Sequence, residues 1–281
     1  MQRTPRLVQP PIAAVTALIF FLLLGRERRA VAGNLRPVTG GGPELLWKVY
    51  KVFYSFCDLI VSYVFIPQAS HAELLRMLPD DEIDTETIRH ILAAGNGLIV
   101  WTAHLGNPEF ASRLLELHNR PVNVARVVED KPAEHMLRER MSNERLRTVD
   151  LRGGAHATIE LLQALRRNEI VAIQGDRVYH PRHSVQATLF GRMALFPAGP
   201  FLLSQVSGAP VLPGFAVRRG WLRYRILMGQ PIYPKNGENG DSEQSEALRE
   251  AVRFLELQLA HYHDQWVNFF PFWPDHDRYG C

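Results

Sequence analysis

Gly97-Leu-Ile-Val-Trp-Thr102-Ala-His104-Leu-Gly-Asn107-Pro108-Glu109-Phe110 is the stretch on which the fold turns. Its first six residues, opened by a glycine and rich in β-branched and aromatic side chains, read as a buried strand. A short loop follows. Asn107 can then accept bonds from first-turn amides, and Pro108 suits the first helical position because its missing N–H has no helical partner to lose. Glu109 falls in that first turn, where the positive end of the helix dipole favours an acid. The helix is expected over Pro108–His118. His104 thus sits in a loop at the carboxyl end of a strand, where open α/β sheets place their ligands.

The alternation continues outward. Val122–Val128 reads as a strand, followed by a charged helix through Lys131–Arg145 and a second helix over Ala155–Arg167. Ile170–Ile173 is a short apolar strand entering Gln174-Gly175-Asp176-Arg177. A helix through Pro200–Val206 ends at Gly208, a residue suited to the left-handed cap. Pro210–Val217 and Leu222–Met228 follow as strands, Lys235–Gln244 as a polar loop, and Asp241–His263 as a closing helix. This pattern predicts an α/β fold, a mixed central sheet flanked by helices. The polar residues in Val122–Val128 and Leu222–Met228 predict edge or antiparallel strands among them.

The chain has 281 residues, 46% of them hydrophobic, enough to bury a substantial core and too many for a disordered polymer. Its two cysteines, Cys57 and Cys281, cannot form a disulfide framework or a zinc site. The formal charge of +3 is unevenly placed. Residues 1–42 carry six arginines and one acid, a net of +5, which leaves −2 on the rest of the chain. The excess flanks the uncharged run Ile12–Leu24, so it points to an anionic membrane surface and away from nucleic acid.

That run is short for a full membrane crossing, since thirteen helical residues reach about 20 Å. It could be a secretory h-region with Ala30-Val31-Ala32 as the cleavage site, or a retained anchor. Arg26, Arg28 and Arg29 directly after it oppose translocation and favour the anchor, with the following domain in the cytoplasm. Leu45–Ile66 is a second apolar stretch. Its polar residues Lys48, Lys51, Ser55, Asp58 and Ser62, three or four apart, lie along one stripe of a helix. Such a helix packs either in a core or on a membrane. The expected organisation is a basic, apolar anchor and linker over 1–42, a membrane-associated amphipathic helix over 43–79 with Gly40-Gly41-Gly42-Pro43 as hinge, and an α/β domain over 80–281.

His104 and Glu109 are the candidate catalytic pair. Across a loop-to-helix junction the carboxylate can fold back on the imidazole, orient it and raise its basicity, as a general base acting on a hydroxyl requires. The backbone amides around Leu105–Asn107 are candidate oxyanion donors. A His-x4-Glu spacing alone is weak in a chain with eleven histidines. His180-Pro-Arg-His183 has no third ligand nearby, so no metal is expected.

The block resembles the His-x4-Asp/Glu motif of the glycerolipid and lipid A acyltransferase superfamily. Further blocks match in order. Ile170-Val-Ala-Ile-Gln-Gly-Asp176-Arg177 resembles its second block. Phe190-Gly191-Arg192 with Phe196-Pro197-Ala-Gly199-Pro200 resembles its third, and Ala209-Pro-Val-Leu-Pro213 its fourth. Gln265-Trp-Val-Asn-Phe-Phe-Pro-Phe-Trp273 is similar to the close of the bacterial lipid A-type members. Ala198 stands where glycerol-phosphate acyltransferases carry a glutamate, which favours the lipid A-like branch over a lysophospholipid acyltransferase.

The resemblance implies transfer of an acyl group from a thioester, of acyl carrier protein or coenzyme A, to a hydroxyl of a lipid acceptor. It implies no bound cofactor, a lipid acceptor and the membrane surface as partners, and a cytoplasmic-face location on the inner membrane. His104 would take the hydroxyl proton and Glu109 would hold its tautomer. Asn107, Asp176, Arg177 and Arg192 are candidate substrate-binding residues, with Arg126 a weaker one. A monomer is expected. The reading from another class is a non-catalytic lipid-binding protein with the same fold; a thioester hydrolase is a third.

Overall fold

The computed structural model describes residues 9–78, 85–128, 143–179, 184–234 and 240–273, with side chains of the last segment from Glu246 onward. The central sheet forms around two strands whose every residue, or nearly so, is buried: β1 (Leu98–Thr102) and β4 (Ile170–Gln174). Continuous apolar runs of this kind require cover on both faces. The six-stranded order is β3-β2-β4-β1-β7-β8, with β2 at Val122–Arg126, β3 at Leu146–Asp150, β7 at Val211–Gly220 and β8 at Arg223–Met228. All neighbours are parallel except β8, which returns antiparallel along β7 at one edge. The α/β mixed sheet therefore stands as expected. β8 is the antiparallel edge strand that its polar residues indicated. β2 is an interior parallel strand, because β3, which the sequence pattern left unassigned, covers its outer side.

Ile99 and Trp101 of β1, with Val171 and Ile173 of β4, pack under the helices Ala155–Arg166, Gly199–Ser207 and Gly240–Tyr262. Leu98, Val100, Ile170 and Ala172 point the other way, against Ile88, Ile91 and Leu92 of the helix Thr85–Ala93 and Leu115 of the motif helix Pro108–Leu115. A hairpin of Ser184–Leu189 and Arg192–Pro197 lies outside the main sheet. The charged helix expected over Lys131–Arg145 falls mostly outside the described residues, as does His180–His183. The closing helix, expected over Asp241–His263, runs over Gly240–Tyr262.

The first three helices among the described residues are α1 (Gln9–Leu23), α2 (Gly25–Thr39) and α3 (Leu45–Phe65). Ala13 and Ala17 let α1 approach Val49, Val52 and Phe53 of α3 closely. The opposite face of α1 leaves Val15, Leu18, Leu22 and Leu23 exposed, Leu23 by 74%. α1 and α2 meet at 97°. At that corner the Arg28 guanidinium donates to the carbonyls of Phe21 and Leu22, satisfying acceptors that a helix end leaves open.

Residues 25–39, within the stretch 1–42 expected as anchor and linker, form α2, whose Ala30, Val31, Asn34 and Leu35 are buried in the protein. α3, with the turn to Gln68, is long and apolar enough to cross a membrane, but half of its apolar stretch is buried inside the protein. Ser55, Asp58 and Ser62 of its polar stripe are also buried, facing the sheet domain and not water.

Candidate active site

β1 and β4 are adjacent and parallel, with Thr102 opposite Gln174. His104 and Asp176 each lie two residues beyond that last register pair, so the sheet delivers them side by side. The Asp176 carboxylate, with no exposed surface, accepts from His104 Nδ1 at 2.7 Å and from the His104 backbone N–H at 3.1 Å to each oxygen. Its second oxygen also accepts from Trp266 Nε1 at 3.0 Å. Burial alone would push this carboxyl up. The His104 charge and hydrogen bond, the nearby Arg177 and the Trp266 donor outweigh it and hold the group down at about 2.

An ionised carboxylate only accepts, so Nδ1 carries a proton, and in the neutral form of the ring Nε2 presents a lone pair. The imidazole keeps 18% of its surface exposed. Among the described residues nothing hydrogen-bonds Nε2. The arrangement can take a proton from a bound hydroxyl.

Two glycines permit this geometry. Gly106, at φ +72°, lies so close to β7 that a Cβ would meet the Ala216 carbonyl oxygen at 2.0 Å. Gly175 leaves room for the Trp101 indole, whose Nε1 would stand 1.8 Å from a Cβ. Both are positions where the backbone must approach closer than any side chain allows.

The structure pairs several of these side chains differently from what their spacing suggests. Glu109 is not on the imidazole: its buried carboxylate accepts from the Arg126 guanidinium at 3.0 and 3.2 Å. The motif helix starts at Pro108 and turns Glu109 toward the end of β2, where Arg126 sits. Asn107 caps that helix, as its type suggests, by accepting from the Phe110 N–H. Its amide donates to Ser62 and Tyr224, and the residue is 3% exposed.

The Gly106 and Asn107 amides donate to the carbonyls of Gln265 and Ala216, which withdraws both from the oxyanion role. Arg177 donates to the Val267 carbonyl and lies over the Phe270 ring. Arg192 places its guanidinium over Trp273. Both contacts are to the C-terminal segment.

Spacing gave no sign of the Trp266–Asp176 bond or of the pairs Arg126–Glu109 and Arg218–Asp58, the last at 3.3 Å between β7 and α3. The only local signal was the polar stripe on α3. Beside the motif lies an apolar cavity lined by Ala111, Leu114 and Leu115 of the motif helix, Val100, Leu212, Ile226 and Met228 of the sheet, and Ile88 and His118. Among the described residues no group of three metal-ligating side chains converges.

A buried carboxylate and a histidine at the carboxyl edge of a parallel sheet, with an apolar cavity beside the motif helix, make up the candidate site of this α/β protein. The profile of the bacterial lipid A biosynthesis acyltransferases matches residues 4–273, and the chain belongs to that family. It is similar to phosphatidylinositol mannoside acyltransferases of Mycobacterium tuberculosis (strain H37Rv) and Mycolicibacterium smegmatis. The identities are 28% and 27% over 214 residues, covering 74% of this chain in each case. The match spans 64% and 66% of those relatives' lengths.

Proposed function

We propose that the protein is an O-acyltransferase that moves a fatty acyl group from a thioester, of acyl carrier protein or coenzyme A, to a hydroxyl of a membrane glycolipid. The observation that carries this is the Asp176 carboxylate on His104 Nδ1 at 2.7 Å, which leaves Nε2 as the base. His104 removes the acceptor hydroxyl proton as the oxygen attacks the thioester carbonyl. The carbon–sulfur bond breaks, and the thiolate leaves with the proton returned from the imidazolium. Asp176 fixes the tautomer and stabilises the positive ring formed in between. Glu109 contributes by fixing Arg126 at the end of β2. No protein nucleophile takes part, and the apolar cavity beside the motif helix suits the acyl chain.

The glycolipid acceptor is supported by the family and by the names of the relatives. A lysophospholipid acceptor is the second reading, disfavoured by Ala198 in place of an acid. In this reading the exposed leucines of α1, followed by Arg26, Arg28 and Arg29, rest on anionic lipid at the cytoplasmic face of the inner membrane. That is the side on which activated thioesters are made.

The test supplies the full chain on vesicles with labelled acyl-coenzyme A or acyl carrier protein and a lipid extract. One acylated glycolipid should form, and His104→Ala should abolish it. Equal transfer by His104→Ala would refute the mechanism; labelled free fatty acid alone would make the protein a thioester hydrolase.

A further inference from the structure

The C-terminal segment wraps the pair His104–Asp176 and contributes to it directly. Trp266 is 1% exposed and donates its indole N–H to the Asp176 oxygen that His104 Nδ1 does not use. Its neighbours hold the same loop from both sides. The Val267 N–H donates to the His104 carbonyl at 2.8 Å, and the Gln265 carbonyl accepts from the Gly106 N–H at 3.0 Å. The Gln265 side chain in turn exchanges two hydrogen bonds with the Arg218 backbone on β7.

The segment is fastened again beyond Trp266. Asn34 of α2 donates to the carbonyls of Asn268 and Phe270 and accepts from the Phe272 N–H, while its own carbonyl faces the Trp273 indole N–H. Phe272 packs edge-on against the Trp266 ring at 5.0 Å. The indole therefore cannot follow a carboxylate that rotates; it dictates where the carboxylate must be.

We propose that Trp266 is a positioning residue of the acyl-transfer site, whose indole N–H fixes the Asp176 carboxylate so that its other oxygen stays on His104 Nδ1. This rests on the reading of His104 as the base. Asp176 is sealed from water, so an Oδ2 without Trp266 would keep only the long, shared contact with the His104 amide. Such a carboxylate gains by turning about its Cβ–Cγ bond toward the remaining donors, and the bond to the imidazole lengthens.

The experiment compares three forms of the full chain: wild type, Trp266→Phe, and a chain carrying benzothienylalanine at position 266, which keeps the indole's shape and replaces N–H by sulfur. Acyl transfer is followed as kcat and KM. The low-field proton resonance of His104 Nδ1–H, identified by its loss in His104→Ala, is followed in the free protein. Both substituted forms should lose roughly 10- to 100-fold in kcat, the span of one hydrogen bond to a charged group, with KM held within about two-fold. The resonance should move upfield or vanish.

If Trp266→Phe fails to fold, the benzothienylalanine form decides alone. Wild-type kcat and an unmoved resonance in that form overturn the proposal. Should His104→Ala retain transfer, the catalytic reading falls, and the resonance by itself still tells whether Trp266 positions the pair.

Discussion

Asp176 accepts a 2.7 Å hydrogen bond from His104 although 72 positions separate them, while Glu109, five positions away, is held by Arg126. Parallel pairing of β1 with β4 brings the distant acid to the ring. The near acid is carried off by the direction in which the motif helix starts.

The two carboxylates should therefore respond differently to neutralisation. Asp176→Asn leaves Nδ1 facing an amide that can donate as well as accept, so the tautomer is no longer fixed. Its kcat should fall about 10²- to 10⁴-fold, the usual worth of a positioned general base. Glu109→Gln should cost less in kcat and more in thermal stability. Steady-state kinetics beside a melting curve on the same samples separates them, and equal losses of kcat in both variants would contradict the geometry.

Arg126→Gln should strand the Glu109 carboxylate, which is only 5% exposed. Removing one partner of a buried pair costs about 3 kcal/mol, and the partly exposed guanidinium puts this case at the low end. The double variant Arg126→Gln/Glu109→Gln should recover much of the loss. Denaturant unfolding of the three forms measures the coupling, and strictly additive losses would show the pair to be unimportant.

Asp176 is held below its ordinary value at about 2, so it favours the folded state when ionised. That contribution is complete above the unfolded value of 3.8 and disappears as pH falls through about 2. The stability difference between wild type and Asp176→Asn should shrink as pH falls below about 4. Chemical unfolding of both proteins at several pH values checks the sign; a difference that grows with acidification would reverse it.

Leu22 and Leu23 stand 63% and 74% exposed at the corner between α1 and α2, where no described element covers them. Leu22→Glu/Leu23→Glu should weaken sedimentation with anionic vesicles at least 10-fold, since each buried leucine is worth about 1.5–3 kcal/mol. The unfolding transition should stay unchanged, because neither side chain packs in the core. Vesicle binding equal to wild type would place the contact elsewhere.

Gly106→Ala should be among the least tolerated changes in the chain. It adds a methyl against the Ala216 carbonyl at a positive φ, and both penalties fall on the loop carrying His104. Soluble yield and circular dichroism report it, and a stable, active Gly106→Ala protein would mean that the loop has another conformation.

The sequence by itself determined the local units. Leu98–Thr102 and Ile170–Gln174 were legible as strands because central parallel strands are apolar throughout. Asn107-Pro108 fixed a helix start, and the ordered blocks pointed to the family. β3 and the hairpin 184–197 carry no assignment from the sequence pattern: each strand is only five or six residues long. α2 lies within the stretch 1–42 expected as anchor and linker, and only packing shows that Ala30, Val31 and Leu35 form a buried helix face.

Only the tertiary structure decided which acid serves His104, that Trp266 reaches that acid, and that Asn34 fastens the segment beyond Trp266. Spacing in sequence constrains neighbours along a helix or strand. Partners across a sheet are set by strand register and by what must be satisfied once water is excluded.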